Sequence, residues 1–440
     1  MVHDMPIRFF KQHDSKEQIS REDNVRRFLE GFPDIEFWRF FVERERYDAR
    51  YEFCYEIYSR KFNSLPAPEI RSRSLEQMKK ELNSLTIGDL FEIFTSEQDK
   101  KFLAMLRLEN RKKERLTEYI DKLVGWQAFE DGEPGYLIHA TRGLSSVLSS
   151  LANDEPLTTN FIKNLHKIAT ENVKNMYTLT PGRFRHTWVA WQLSEFGDSL
   201  SGLIESIDYL KSIKEKYGYN YHSFNIYEND KPVQIISDLT KSSKELAETL
   251  WNAQFNSFVQ HFEGGSAKNN IDEILNAIGE QQISELETQL TQAKTKDEKL
   301  IAIFSYLKHA VLLHPFQDGV GRTYSMLLLQ FLLMRENLLP IIIHNSNIIP
   351  GYSVQELVKE YVRAEDEMEK ILQDPDYVSS DEFAKPNVDT EYLRTFIPND
   401  TFDNCLKIYQ DAKESFLISK GHLASNESLL TFNTPNKGDG

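Results

Sequence analysis

The sequence predicts an all-α protein, and three observations carry that prediction. Leu, Ile, Phe and Tyr recur at helical spacing on charged backgrounds, as in Ile303, Phe304, Leu307 and Val311. Alternating β-branched runs are few, and the one clear exception sets Phe224 and Ile226 against Val233 and Ile235 around the polar turn Glu228-Asn229-Asp230-Lys231. That exception predicts a small β-hairpin. Hydrophobic residues make up 40% of the 440, while Gly (19) and Pro (15) are sparse, which excludes wholesale disorder and collagen-like repeats.

Residues 1–135 form a charged and aromatic helical region that includes Phe102, Leu103 and Leu106. Its basic stretch Arg111-Lys112-Lys113 alternates with Glu109 and Glu114 and predicts a solvated helix face. The turn residues Asp131-Gly132-Glu133-Pro134-Gly135 mark a boundary, and a second module is expected over 136–375. Its helices are expected at about 159–176, 195–215, 271–292, 297–312, 322–336 and 353–372, the last with Leu357, Tyr361, Met368 and Leu372 on one side. Residues 376–440 then supply one more helix, through Phe402, Leu406, Tyr409 and Phe416, and a polar tail.

Composition narrows the function before any motif is read. Lys and Arg (52) against Asp and Glu (68) leave a net charge of −16, which repels phosphate backbones and argues against a nucleic-acid partner. Cys54 and Cys405 are the only cysteines, so there is neither a disulfide framework nor a cysteine-rich zinc site. The first residues lack the apolar stretch of a signal peptide, and Met326–Met334, interrupted by Gln330, is too short to span a membrane. A cytoplasmic protein with no membrane span is expected.

One polar run lies between two strongly apolar helices: His314-Pro315-Phe316-Gln317-Asp318-Gly319-Val320-Gly321-Arg322. Its residue types suit phosphate chemistry. His314 is the side chain that accepts a proton near neutral pH without a large shift, which fits a general base. Asp318 offers a hard oxygen to a magnesium ion carried by substrate phosphates. Gly319 and Gly321 let backbone approach a phosphate, the helix that follows presents its open N–H groups, and Arg322 supplies a planar fork. Other glycine-rich loops do not fit, since a P-loop needs Gly at Phe316 and Lys at Arg322, and a dinucleotide loop needs Gly at Tyr324.

The run resembles the signature of the Fic family, H-P-F-x-[D/E]-G-N-G-R-x-x-R. Two other segments are similar to family elements: Leu157-Thr158 through Leu165-His166, and Pro181-Gly182-Arg183-Phe184-Arg185. The resemblance spans about 140–375. It implies an all-helical core and transfer of a phosphate-containing group, most often AMP from ATP, onto a Ser, Thr or Tyr hydroxyl of a target protein. By position, His314 would deprotonate that hydroxyl, Asp318 would hold Mg2+ on the donor, and Gly319, Val320, Gly321 and Arg322 would line the donor phosphates. A hairpin flap would dock the target, over about 222–236 with His222, Phe224 and Tyr227, or at the Trp188–Trp191 stretch.

Two signature positions depart. Val320 stands where the family has Asn, removing a hydrogen bond to phosphate worth about 1.5–3 kcal/mol. Ser325 stands where the family has its second Arg, which meets the donor's distal phosphate or an inhibitory Glu. The stretch Ser145–Ser150, just before the Leu157-Thr158 element, carries no such Glu. The readings that follow are AMP transfer from ATP, transfer of phosphocholine or another group from a different diphosphate donor, and a Fic-like scaffold that binds nucleotide or partner without transfer. The abundance of Asn, Lys, Ile and Phe, with the missing brake, further suggests a bacterial effector delivered into a host cytosol.

Overall fold

The computed structural model describes residues 23–34, 37, 53–62, 65, 74–96, 103, 108, 112–122, 133–174, 176, 180–186, 189–192, 198–217, 223–228, 231–236, 240–251, 256–260, 271–343, 348–374 and 399–423. Over these residues the protein is mainly helical, as the periodicity requires. Helices run over Tyr136–Ala152, Thr159–Thr170, Leu200–Tyr217, Ile271–Gln292, Lys296–Leu313, Val354–Gln373 and Asn399–Ser419.

The helix Lys296–Leu313 is the central rod. Thr295 starts it with a capping box, its hydroxyl accepting from Glu298 N–H while the Glu298 carboxylate returns to Thr295 N–H. Leu300, Ile303, Phe304, Leu307 and Leu312 are fully buried, packed against Ile271–Gln292, Val354–Gln373 and the segment that follows the polar run. One polar contact of this rod is fully buried. Lys308, 0% exposed, donates from Nζ to the carbonyls of Gly202 (3.1 Å), Pro350 (3.1 Å) and Tyr352 (2.5 Å), and burial pushes its pKa down to about 8. Close by, Gly202 lies so near Gly351 that a Cβ would come 1.9 Å from the Gly351 carbonyl oxygen. Three carbonyls gathered on one ammonium lock the rod to both segments.

The same rod carries His309, whose ring stacks on Tyr209 at 3.9 Å and 6°. Burial, with Lys308 adding to it, lowers the His309 pKa from 6.5 to about 4. As pH falls below 6.5 the unfolded chain takes up this proton before the folded one, so the contribution is complete above 6.5 and is lost on descent to about 4. Urea unfolding from pH 7 to 4 is expected to show falling stability, and His309→Phe, which keeps the stacked ring, is expected to flatten that slope. An unchanged slope would contradict the assignment.

Hydrophobic burial sorts the described residues into clusters, and the largest draws on residues near both ends of the chain. Val25, Phe28, Leu29 and Phe32 of Asp23–Gly31 and its exit join the main core, as do Phe402, Cys405, Tyr409 and Phe416 of the last helix. Phe37 stacks on Tyr409 at 5.5 Å, and Lys413 pairs with Asp34. A second core stands apart, built from Phe53, Tyr58, Met78, Leu82, Leu90, Leu116 and Ile120. Lys112 and Lys113 are exposed beside it, in a turn before the helix Leu116–Lys122 rather than on the expected helix face, while Phe102, Leu106, Glu109 and Arg111 lie outside the described residues.

The expected hairpin is present and belongs to a larger sheet. β1 (Val189–Gln192), β2 (Ser223–Glu228), β3 (Lys231–Ile236) and β4 (Asn256–Gln260) are ordered β1-β4-β2-β3, antiparallel throughout. Phe224 faces Ile236 on one side and Phe258 on the other. Both stretches considered for a flap therefore lie in one sheet, at its two edges. His222, and the side chains of Phe224, Tyr227, Trp188 and Trp191, lie outside the described residues.

Candidate functional site

The polar run is the connection between the central rod and the next helix. His314 closes the rod as its C-cap in the left-handed conformation (φ 45°, ψ 60°), which few residues other than glycine adopt. The chain re-enters helix at Val320, and Gly321–Leu328 has π-helical hydrogen bonding before Leu329–Arg335 continues as α-helix. Wide turns of this kind gather at functional positions.

Arg185 holds the first half of the loop. Its Nε donates to the His314 carbonyl at 2.7 Å, its Nη2 to the Leu313 carbonyl at 3.2 Å, and its backbone N–H to the Pro315 carbonyl at 2.8 Å. It is 2% exposed. A buried cation on the last carbonyls of a helix answers both their open acceptors and the negative end of the helix dipole.

His166 holds the second half. It sits in the last turns of Thr159–Thr170, a helix begun by Thr158, whose hydroxyl accepts from Phe161 N–H at 3.0 Å. Its ring lies flat on Phe316, 3.7 Å between centroids and 6° from parallel. Nδ1 accepts from Gly182 N–H at 3.0 Å, and Nε2 lies 3.1 Å from the Asp318 carbonyl oxygen. An amide N–H only donates, so Nδ1 is the bare nitrogen and Nε2 carries the proton given to Asp318.

The candidate residues fall out as follows. His314 and Asp318 are half-buried at the two ends of the loop. Burial, reinforced by the Arg185 charge, pushes the His314 pKa down to about 3, so its imidazole is neutral at physiological pH. An Asp318 carboxylate oxygen, Oδ1, accepts from Gly319 N–H at 2.7 Å. Gly319 has φ +73°, and a Cβ there would come 2.8 Å from Thr170 Cγ2. Its carbonyl accepts from the N–H and hydroxyl of Thr323, at 3.0 and 2.9 Å, which fastens the loop to the helix it leads into.

Val320 and Arg322 turn away from an outward-facing loop. The Val320 side chain is 3% exposed and belongs to the hydrophobic core. Arg322 is committed elsewhere: Nη2 pairs with Glu133 at 2.6 Å, Nη1 donates to the Ala169 carbonyl at 3.2 Å, and the guanidinium lies 4.4 Å over the Tyr136 ring. Its buried Nε has no partner among the described residues. Glu133 read from the sequence as part of a turn. Ser325 is 4% exposed, whereas Ser149 is exposed, so these two positions are not set to face each other.

Among the described residues no group of three His, Cys, Asp or Glu side chains is placed to hold a metal ion. Asp318 alone therefore fits only an ion that draws its remaining ligands from substrate phosphates and water, as magnesium does. No helix among the described residues is long and apolar enough to cross a membrane.

No protein-family model matches the chain. The chain is similar to the phosphocholine transferase AnkX of Legionella pneumophila. Identity is 28% over 250 residues, taking in 53% of this chain and 25% of that protein. The chain thus spans about a quarter of the length of the curated relative it matches.

Proposed function

We propose that this protein is a Fic-type transferase that moves a phosphate-containing group from a diphosphate donor to a hydroxyl of a target protein. The observation that carries the reading is the polar loop itself. A neutral imidazole stands at one end and a carboxylate at the other, and both backbones are fixed from behind by buried cationic and aromatic side chains. His314 takes the hydroxyl proton as the new O–P bond forms and the bond to the departing nucleoside monophosphate breaks. The open N–H groups at the start of Val320–Arg335 receive phosphate oxygens. A magnesium ion, held by Asp318 and the donor, would neutralise phosphate charge.

Within that class phosphocholine is favoured over AMP, a change from the family's commonest donor. Three features support it: the similarity to a phosphocholine transferase, Ser325 in place of a phosphate-binding Arg, and the commitment of Arg322 to Glu133. A site with so little available cationic charge suits a transferred group that brings its own ammonium better than the tail of a triphosphate. The similarity to a Legionella pneumophila protein also supports the bacterial source that the composition suggests.

Incubation with a host-cell lysate and ATP, UTP, GTP or CDP-choline, each labelled in the group to be transferred, is expected to label protein from CDP-choline. Label from ATP would restore the AMP reading. Nucleotide binding by calorimetry with no covalent product, unchanged by a His314 substitution, would support the scaffold reading instead.

A further inference from the structure

We infer that His166 is a positioning residue for the Asp318–Gly319 half of the loop, acting through a single neutral tautomer that couples three segments. This rests on the transferase reading and deepens it, since His166 lies behind the loop and touches no reacting atom.

The ring does three separate jobs. Its flat face carries Phe316, which is fully buried and also packs on Phe184 at 5.1 Å. Nδ1 accepts from Gly182, two residues before the phenyl ring of Phe184 and three before Arg185, which grips the other half of the loop. The Nε2–H donates to Asp318 O and fixes the peptide between Asp318 and Gly319. That peptide supplies the N–H already bonded to Asp318 Oδ1. A Cβ at Gly319 would stand 3.3 Å from Nε2, so the imidazole also forms the wall against which the left-handed turn is folded.

No other side chain offers an acceptor, a donor opposite it and a stacking face at once, and His166 is 0% exposed, so water does not substitute for it. Its own carbonyl accepts from the Thr170 hydroxyl at 2.7 Å, the residue whose methyl flanks Gly319. Helix end, loop and Gly182 turn are thereby one unit. Loss of the ring's hydrogen bonds, with its stacking kept, should let Asp318 and Gly319 drift relative to His314 while leaving donor affinity largely in place.

The test uses the full chain with His166→Phe, His166→Gln and His166→Asn. Gln places a donor near the position of Nε2 and Asn an acceptor near that of Nδ1. Two readouts are taken well below the melting midpoints: kcat and KM for transfer, and amide hydrogen exchange over 316–321. For His166→Phe we expect kcat to fall about 100-fold with KM within a few-fold, and exchange in the loop to speed up at least about tenfold. His166→Gln should recover most of both, and His166→Asn should not. Unchanged loop exchange in His166→Phe, or Gln and Asn variants that behave alike, would overturn the assignment. If His166→Phe does not fold, the Gln and Asn comparison decides. Exchange reports on the loop whether or not the wild type transfers anything, so failure of the transferase reading is distinguishable from failure of this one.

Discussion

His314→Asn is expected to abolish measurable transfer, lowering kcat by roughly 10²–10⁴-fold, the range set by removing a positioned general base, with the melting temperature at pH 7 nearly unchanged. Asn tolerates the left-handed backbone that His314 adopts, and the Arg185 bonds at this position are to the carbonyl, which the substitution keeps. The effect is therefore chemical rather than structural. In the wild type the depressed His314 pKa of about 3 keeps the imidazole able to accept a proton throughout the physiological range. A bound phosphate beside it favours the charged form and should raise that pKa toward the value a base needs. Steady-state transfer by the variant with either CDP-choline or ATP, within threefold of wild type, would remove His314 from the mechanism.

Arg185→Met is expected to be the most disruptive single change around the site. It keeps an unbranched apolar stem and discards the guanidinium with its hydrogen bonds, leaving the Leu313 and His314 carbonyls in search of partners. Charge-assisted bonds of this type contribute about 1.5–3 kcal/mol each net of solvation, offset by the cost of burying the cation, so a loss of about 3 kcal/mol in urea unfolding is expected. Removing the positive charge also removes one cause of the low His314 pKa, which should rise. Imidazole titration followed by NMR checks the second effect independently of the first. A variant of wild-type stability with an unmoved His314 titration would show that the clamp is dispensable.

Much of this arrangement was legible in the amino-acid order. The helices around 271–292 and 353–372 declare themselves because each alternates buried and solvated faces over several turns, that around 297–312 by its dense apolar run, and Thr295 and Ser353 supply capping boxes to the last two. The polar run stands out because residues of that kind are rare between two buried helices. Less legible were the partners. Arg322 looked like a phosphate fork, yet its fate depends on Glu133, nearly two hundred residues away, and no local spacing encodes such a meeting. His166 fell on the apolar face with Ile162, Leu165 and Ala169, where a histidine has no local reason to differ from packing material. The strands Val189–Gln192 and Asn256–Gln260 are too short for a period of two to register, and only pairing reveals them, the second with the hairpin strand Ser223–Glu228 and the first with the second.

The separation of the two cores has an architectural consequence. Val25, Phe28, Leu29, Phe32 and Phe37 share one interior with most of the described apolar residues from Tyr136 onward, whereas the buried apolar residues described between Phe53 and Ile120 form a cluster of their own. The two clusters share no residue, so truncating a side chain of the second, such as Leu82 or Leu116, removes none of the contacts that hold Phe28, Phe32 and Tyr409 in the first.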